Sequence, residues 1–197
     1  MVGDESSSSK SVEFTLVLRT SVAQPGLTLI HYLGSPSEGP PVFSSSTQPV
    51  EPNTTLFQGS PNPSNILGTA SVGTSNTFMH RGNPGTLEKI SFSKSCNVSC
   101  PLGTFKWTAD MDGNGHTRWL FKDASGHKLA YLGNGKSRDG VAKDDRKLEV
   151  CFKGNDNLIE LVVLTALMVL PLAKTNRKDE AKVAIVAMHL ISAVLGS

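Results

Sequence analysis

The sequence predicts a mainly β domain, a β-barrel or strongly curved sheet packed on a C-terminal hydrophobic helix. Three observations carry this. Ser, Thr, Gly, Pro and Asn crowd the first hundred positions, and such turn residues favour many short strands over long helices. Phe105 and Trp107, then Trp119 and Phe121, stand two residues apart, the spacing of one strand face. Residues 158–173 are apolar except for Glu160 and Thr165, too continuous for a half-exposed element.

The elements follow in order. Residues 1–11 are polar and Ser-rich and read as a disordered leader; residues 12–197 read as one β-rich domain. Residues 12–18 alternate, and after the Pro25-Gly26 turn residues 27–33 form a second strand. Residues 34–65 are rich in Pro, Ser and Asn and read as loops holding one short strand near 56–58. Weaker strand patterns occupy 67–72, 77–80 and 87–92. The plainest hairpin joins 104–109 to 117–122, because Asp112-Gly113 and Asn114-Gly115 supply the positive φ angles of a tight turn. Strands at 128–132 and 148–152 complete a meander.

The C-terminal part switches period. Helical segments are expected at 157–173 and 183–195, joined by a polar bridge. Asn157 or Asp156 can cap the first, and Glu160 sits in its first turn, where the helix dipole favours a carboxylate. Each run is shorter than the roughly twenty residues that cross a bilayer. A buried core helix, a membrane hairpin and a partner interface all fit such a pattern.

Composition narrows the function classes. With 197 residues the chain can bury a core without disulfides, and 38% hydrophobic against 18% charged residues is neither a disordered nor a membrane composition. A net charge of +2 gives no nucleic-acid footprint. The leader has no apolar core of a signal peptide, so a cytoplasmic location is expected. Cys96, Cys100 and Cys151 read as free thiols, with a Cys96–Cys100 bridge open only in an oxidising compartment. No nucleophile motif, phosphate loop, dinucleotide fingerprint or paired His ligands occur, so neither an enzyme nor a cofactor is expected. His31, His80, His116 and His127 fall in turns or at strand edges and read as solvated, while His189 sits in an apolar run and reads as a core or edge residue.

Two motifs bear on ligands. Asp110, Asp112 and Asn114 fall at positions one, three and five of a calcium-type loop, but position twelve is Phe121 and not the bidentate acid; it reads as a turn without metal. Lys136, Arg138, Lys143, Arg146 and Lys147 follow the hairpin and are candidates for an anionic head group. Asp139, Asp144, Asp145 and Glu149 are interleaved with them, the pattern of an ordinary solvated face.

From Phe105 onward the layout Phe105-Lys106-Trp107, Arg118-Trp119-Leu120-Phe121, Leu129-Ala130, Lys147-Leu148-Glu149-Val150 and the 158–167 helix resembles the fungal tubby-C-terminal-like proteins. Their fold-level relatives are the phospholipid scramblases and the LURP-one-related proteins. The resemblance spans about residues 104–170. It implies a β-barrel threaded by a hydrophobic helix and a non-enzymatic module that binds anionic phospholipid head groups, peripheral to a membrane surface. The other expectation is a structural or protein-interaction role, with the C-terminal segments driving self-association or anchoring to a membrane.

Overall fold

A computed structural model describes residues 11–36, 39–73, 75–90, 94–111, 117–135, 141–142 and 144–171. Twelve strands run β1 (Phe14–Thr20), β2 (Leu27–Tyr32), β3 (Phe43–Thr47), β4 (Thr54–Gln58), β5 (Ile66–Ser71), β6 (Thr77–His80), β7 (Asn83–Lys89), β8 (Ser95–Cys100), β9 (Gly103–Met111), β10 (Thr117–Asp123), β11 (Lys128–Asn134) and β12 (Arg146–Val150). Each pairs antiparallel with its sequence neighbours, and β1 pairs with β12 from Phe14↔Val150 to Leu18↔Arg146, closing a barrel. Closure leaves no sheet edge exposed. The mainly β fold with a C-terminal helix is as expected from sequence.

Helix α1, residues 156–171, occupies the interior. Residues 160–166 are each at most 3% exposed. Seven consecutive residues span nearly two turns, so the helix is covered all round. At one mouth of the barrel Asn155 caps it, accepting from the Leu158 amide at 3.0 Å. The cap therefore lies one or two residues before the expected Asp156 or Asn157. Residues 172–197, which hold the end of the first expected helical segment and all of 183–195, lie outside the described residues, as do residues 1–10 of the leader.

The inward faces of the strands meet this helix. Leu16, Leu18, Ile30, Leu56, Leu87, Val98, Leu132 and Leu148 join Leu161 to Leu164 in one core. The aromatic hairpin packs as its spacing predicts: Trp107 pairs with Phe121 across β9 and β10, their rings 4.8 Å apart, and Phe105 stacks on Phe121 at 5.2 Å. Trp107 Nε1 donates to Thr165 Oγ1 on the helix at 3.1 Å, and that hydroxyl donates on to the Leu161 carbonyl. Both buried polar groups are thereby satisfied.

Two glycines set how closely the layers approach. A Cβ on Gly68 would lie 2.6 Å from the Met79 carbonyl oxygen and 2.9 Å from Leu164 Cδ2 on the helix. A Cβ on Gly85 would lie 2.2 Å from the Phe78 ring, which folds over that glycine.

Two strands depart from the sequence reading. Residues 34–65 hold both β3 and β4, and not one short strand alone. β3 reads Phe-Ser-Ser-Ser-Thr, whose small polar residues carry little alternation signal. β8 reads Ser-Cys-Asn-Val-Ser-Cys; its Cys96 and Val98 pack in the core, but Cys and Ser hide the pattern.

Candidate functional site

The barrel interior is filled by side chains, so polar chemistry is confined to the mouths and the outer face. At the mouth where the helix begins, Glu160 is buried and held by two neighbours from the β6–β7 turn. Arg81 donates from Nε to Oε2 and from Nη2 to Oε1, each at 2.7 Å. His80 Nε2 lies 3.0 Å from Oε2. A carboxylate only accepts, so His80 carries a proton on Nε2. Arg81 adopts the left-handed φ of +47°, which turns its side chain into this clamp. Burial alone would raise the Glu160 pKa, but the hydrogen bonds from Arg81 first, and then from His80, hold it below its ordinary value. This cluster fixes the helix to the barrel wall and engages both carboxylate oxygens.

The cations singled out from sequence are only partly brought together. Lys136, Arg138 and Lys143 lie outside the described residues. Arg146 and Lys147 are adjacent in β12 and so point to opposite faces of the sheet. Arg146 pairs in register with inward-facing Leu18 and donates to Asn134 Oδ1. Lys147 sits on the outer face opposite Val17, with Nζ 2.9 Å from Glu149 Oε1. Strand alternation therefore divides this pair.

The outer face supplies two residues that the sequence reading did not select. Val17 faces Lys147 on β12 and His31 on β2, and Arg19 lies two residues along the same face of β1. His31 is 2% exposed, a correction to the reading of it as solvated; His80 is likewise buried. Among the described residues neither ring nitrogen of His31 has a hydrogen-bond partner, and neither does Arg19 Nη1. Arg19 Nε donates to Asp145 Oδ2 at 3.1 Å. Burial, and then the Arg19 charge, push the His31 pKa below its ordinary value. Only the β1–β2 register brings Arg19 and His31 together, and sequence spacing carries no such signal.

The remaining candidates resolve simply. Asp110 is engaged by Arg118, Nη2 to Oδ2 at 3.1 Å, and by its neighbour's amide through Oδ1. Asp112 and Asn114 lie outside the described residues. Among the described residues no cluster of three metal-ligating side chains forms. None of the three cysteines is in a disulfide. Cys96 and Cys100 lie four positions apart along one strand, roughly 13 Å, too far to bridge. Burial raises the Cys96 thiol to about 11. Among the described residues no helix is long and apolar enough to cross a membrane.

One surface depression stands out, a mostly apolar groove of about 680 Å³ across the outer face of β5–β8, lined by Pro52, Thr69, Met79, Pro84, Ser99 and Pro101 among others. In comparisons with protein-family models, curated proteins and solved structures, this chain matches none.

Proposed function

We propose that this chain is a non-enzymatic binding module of the tubby-like kind, which holds an anionic phospholipid head group on the outside of its barrel. The observation that carries the reading is the packed interior: α1 takes the place that a lumenal ligand would need, so recognition falls to the outer face and the mouths. On that face Lys147 and Arg19 flank Val17, and Lys147 belongs to the basic stretch that the sequence puts forward. Near an anionic membrane a cation is worth about 1 kcal/mol, and here Lys147 and Arg19 share their charge with Glu149 and Asp145. In this reading the protein acts in the cytoplasm and visits membranes peripherally, with no cofactor and no nucleic-acid partner.

The apolar groove over β5–β8 favours a second reading, a structural or protein-interaction role. Vesicle sedimentation separates the two. Vesicles doped with phosphoinositide should carry the wild-type protein down more than neutral vesicles do, and a Lys147→Gln variant less. Equal sedimentation in every sample rejects the head-group reading.

A further inference from the structure

One side of the barrel exterior is closed to solvent although no described element lies over it. Leu120 on β10 alternates with the inward Trp119 and Phe121, and Val17 on β1 alternates with Leu16 and Leu18, so both point outward. His31 stands opposite Val17, Ser44 opposite Leu29 on the same face, and Phe57 opposite Ser44. All five are buried, Val17 to 1% and Leu120 to 5%, while Val17, Leu120 and Phe57 do not belong to the interior core. The other side of the barrel differs: Met79 on β6 is 42% exposed, and the β5–β8 groove lies open. Tall neighbours can hide a serine, but they do not hide a leucine or a phenylalanine that stands as high as they do. Among the described residues the strands form the wall, α1 fills the interior, and the one 3-10 turn, Pro63–Asn65, buries none of its residues.

The strip has the anatomy of a covered interface, an apolar centre inside an ion-paired rim. Arg118 with Asp110, Lys147 with Glu149 and Arg19 with Asp145 supply that rim, each pair part-exposed. Paired charges leave a nearly neutral surface, which suits an uncharged apolar cover. Of the stretches outside the described residues, 1–10 is polar and Ser-rich, and the internal ones are at most five residues long. Only 172–197 contains an apolar run, 183–195, and that run holds no Lys, Arg, Asp or Glu.

Reach and length agree. β1 begins beside Val150 at the mouth where α1 starts, so Arg19 lies toward the far mouth. Residues 156–171 rise about 24 Å along the axis toward that same mouth. Residues 172–182 can span up to roughly 36 Å, enough to cross the rim, and they are mainly polar. From β10 to β4 the strip crosses six strand spacings, roughly 29 Å. Thirteen residues cover about 20 Å as a helix and about 43 Å fully extended.

We propose that residues 183–195 of this chain dock on the outside of the barrel, over Leu120, Val17, His31, Ser44 and Phe57. The C-terminal run is then a strap on the wall that α1 supports from within, and the chain packs on both faces of the same strands. Lys147 and Arg19, the cations of the head-group reading, stay at the rim with part of each side chain exposed, so the strip is covered whether or not a lipid binds.

The test uses the full chain with Val17→Cys, a change close to valine in volume. A thiol reagent at neutral pH should modify the new cysteine at least about a hundredfold more slowly than Cys100, and adding Ile185→Asp with Leu190→Asp should speed it at least about tenfold. Separately, Val17→Cys is combined in turn with Ile185→Cys, Met188→Cys, Leu190→Cys and Ile191→Cys and mildly oxidised. At least one pair should form a disulfide within a monomeric chain, identified by peptide mapping. This arm serves if the aspartate variant fails to fold. Disulfides formed only between two chains overturn the proposal and make a second copy the occupant. Fast labelling of Val17→Cys in the otherwise unchanged chain overturns it by showing an open strip. Slow labelling that the aspartates leave unchanged, with no disulfide from any pair, overturns it by showing that the wall closes the strip alone.

Discussion

Glu160 and Arg81 meet as a two-pronged pair, with both carboxylate oxygens 2.7 Å from guanidinium nitrogens. The carboxylate belongs to the N-terminal part of the inner helix and the guanidinium to the turn between β6 and β7. The pair thus joins the core element to the wall at the mouth where the helix begins, with the carboxylate 4% and the guanidinium side chain 47% exposed.

The pair makes stability depend on pH in a known direction. Glu160 has a lowered folded pKa, so its contribution is complete above the usual carboxyl range and is lost as the pH falls through its folded value. Thermal melts of wild type and Glu160→Gln should differ by about 1–3 kcal/mol at neutral pH and converge in acid. A constant difference down to strongly acid pH would show that the pair does not titrate as described.

Gly85 should tolerate no side chain. Its missing Cβ is the space that the Phe78 ring fills, 2.2 Å away. Gly85→Ala is expected to cost about 1–3 kcal/mol through overpacking. A second change, Phe78→Leu, should recover part of that loss in a double-mutant cycle. Independent, additive effects of the two changes would contradict the contact.

The cysteines should differ in reactivity. Cys96 and Cys151 are buried, Cys96 with its thiol raised to about 11, while Cys100 is partly exposed near the β8–β9 turn. A thiol reagent at neutral pH should modify Cys100 first and reach the others only on unfolding. Peptide mapping of the modified protein checks this; labelling of Cys96 at the rate of Cys100 would refute the burial of β8.

Much of the fold was legible because large side chains announce their face. Phe105, Trp107, Trp119 and Phe121 alternate, and the core receives all four. The run from Leu161 to Val169 announces a helix apolar on nearly every side, which only a closed wall can cover. Strands β3 and β8 were not legible, since serine and cysteine fit turns, loops and tight interiors alike. The candidate site was less legible still. Arg146 and Lys147 are neighbours in sequence and opposites in space, whereas Arg19, His31 and Ser44 are scattered in sequence and share a face. Register decides both, and register depends on long-range pairing that local patterns do not encode.

The central claim, that α1 is the packed axis of a closed barrel and leaves binding to the exterior, is tested most directly by native-state hydrogen exchange. The amides of residues 161–169 lie behind a wall with no open edge. They should exchange only when the whole barrel opens, with a free energy equal to that of global unfolding by denaturant and the same denaturant slope. Exchange of those amides through a smaller opening, while the strands stay protected, would contradict the account.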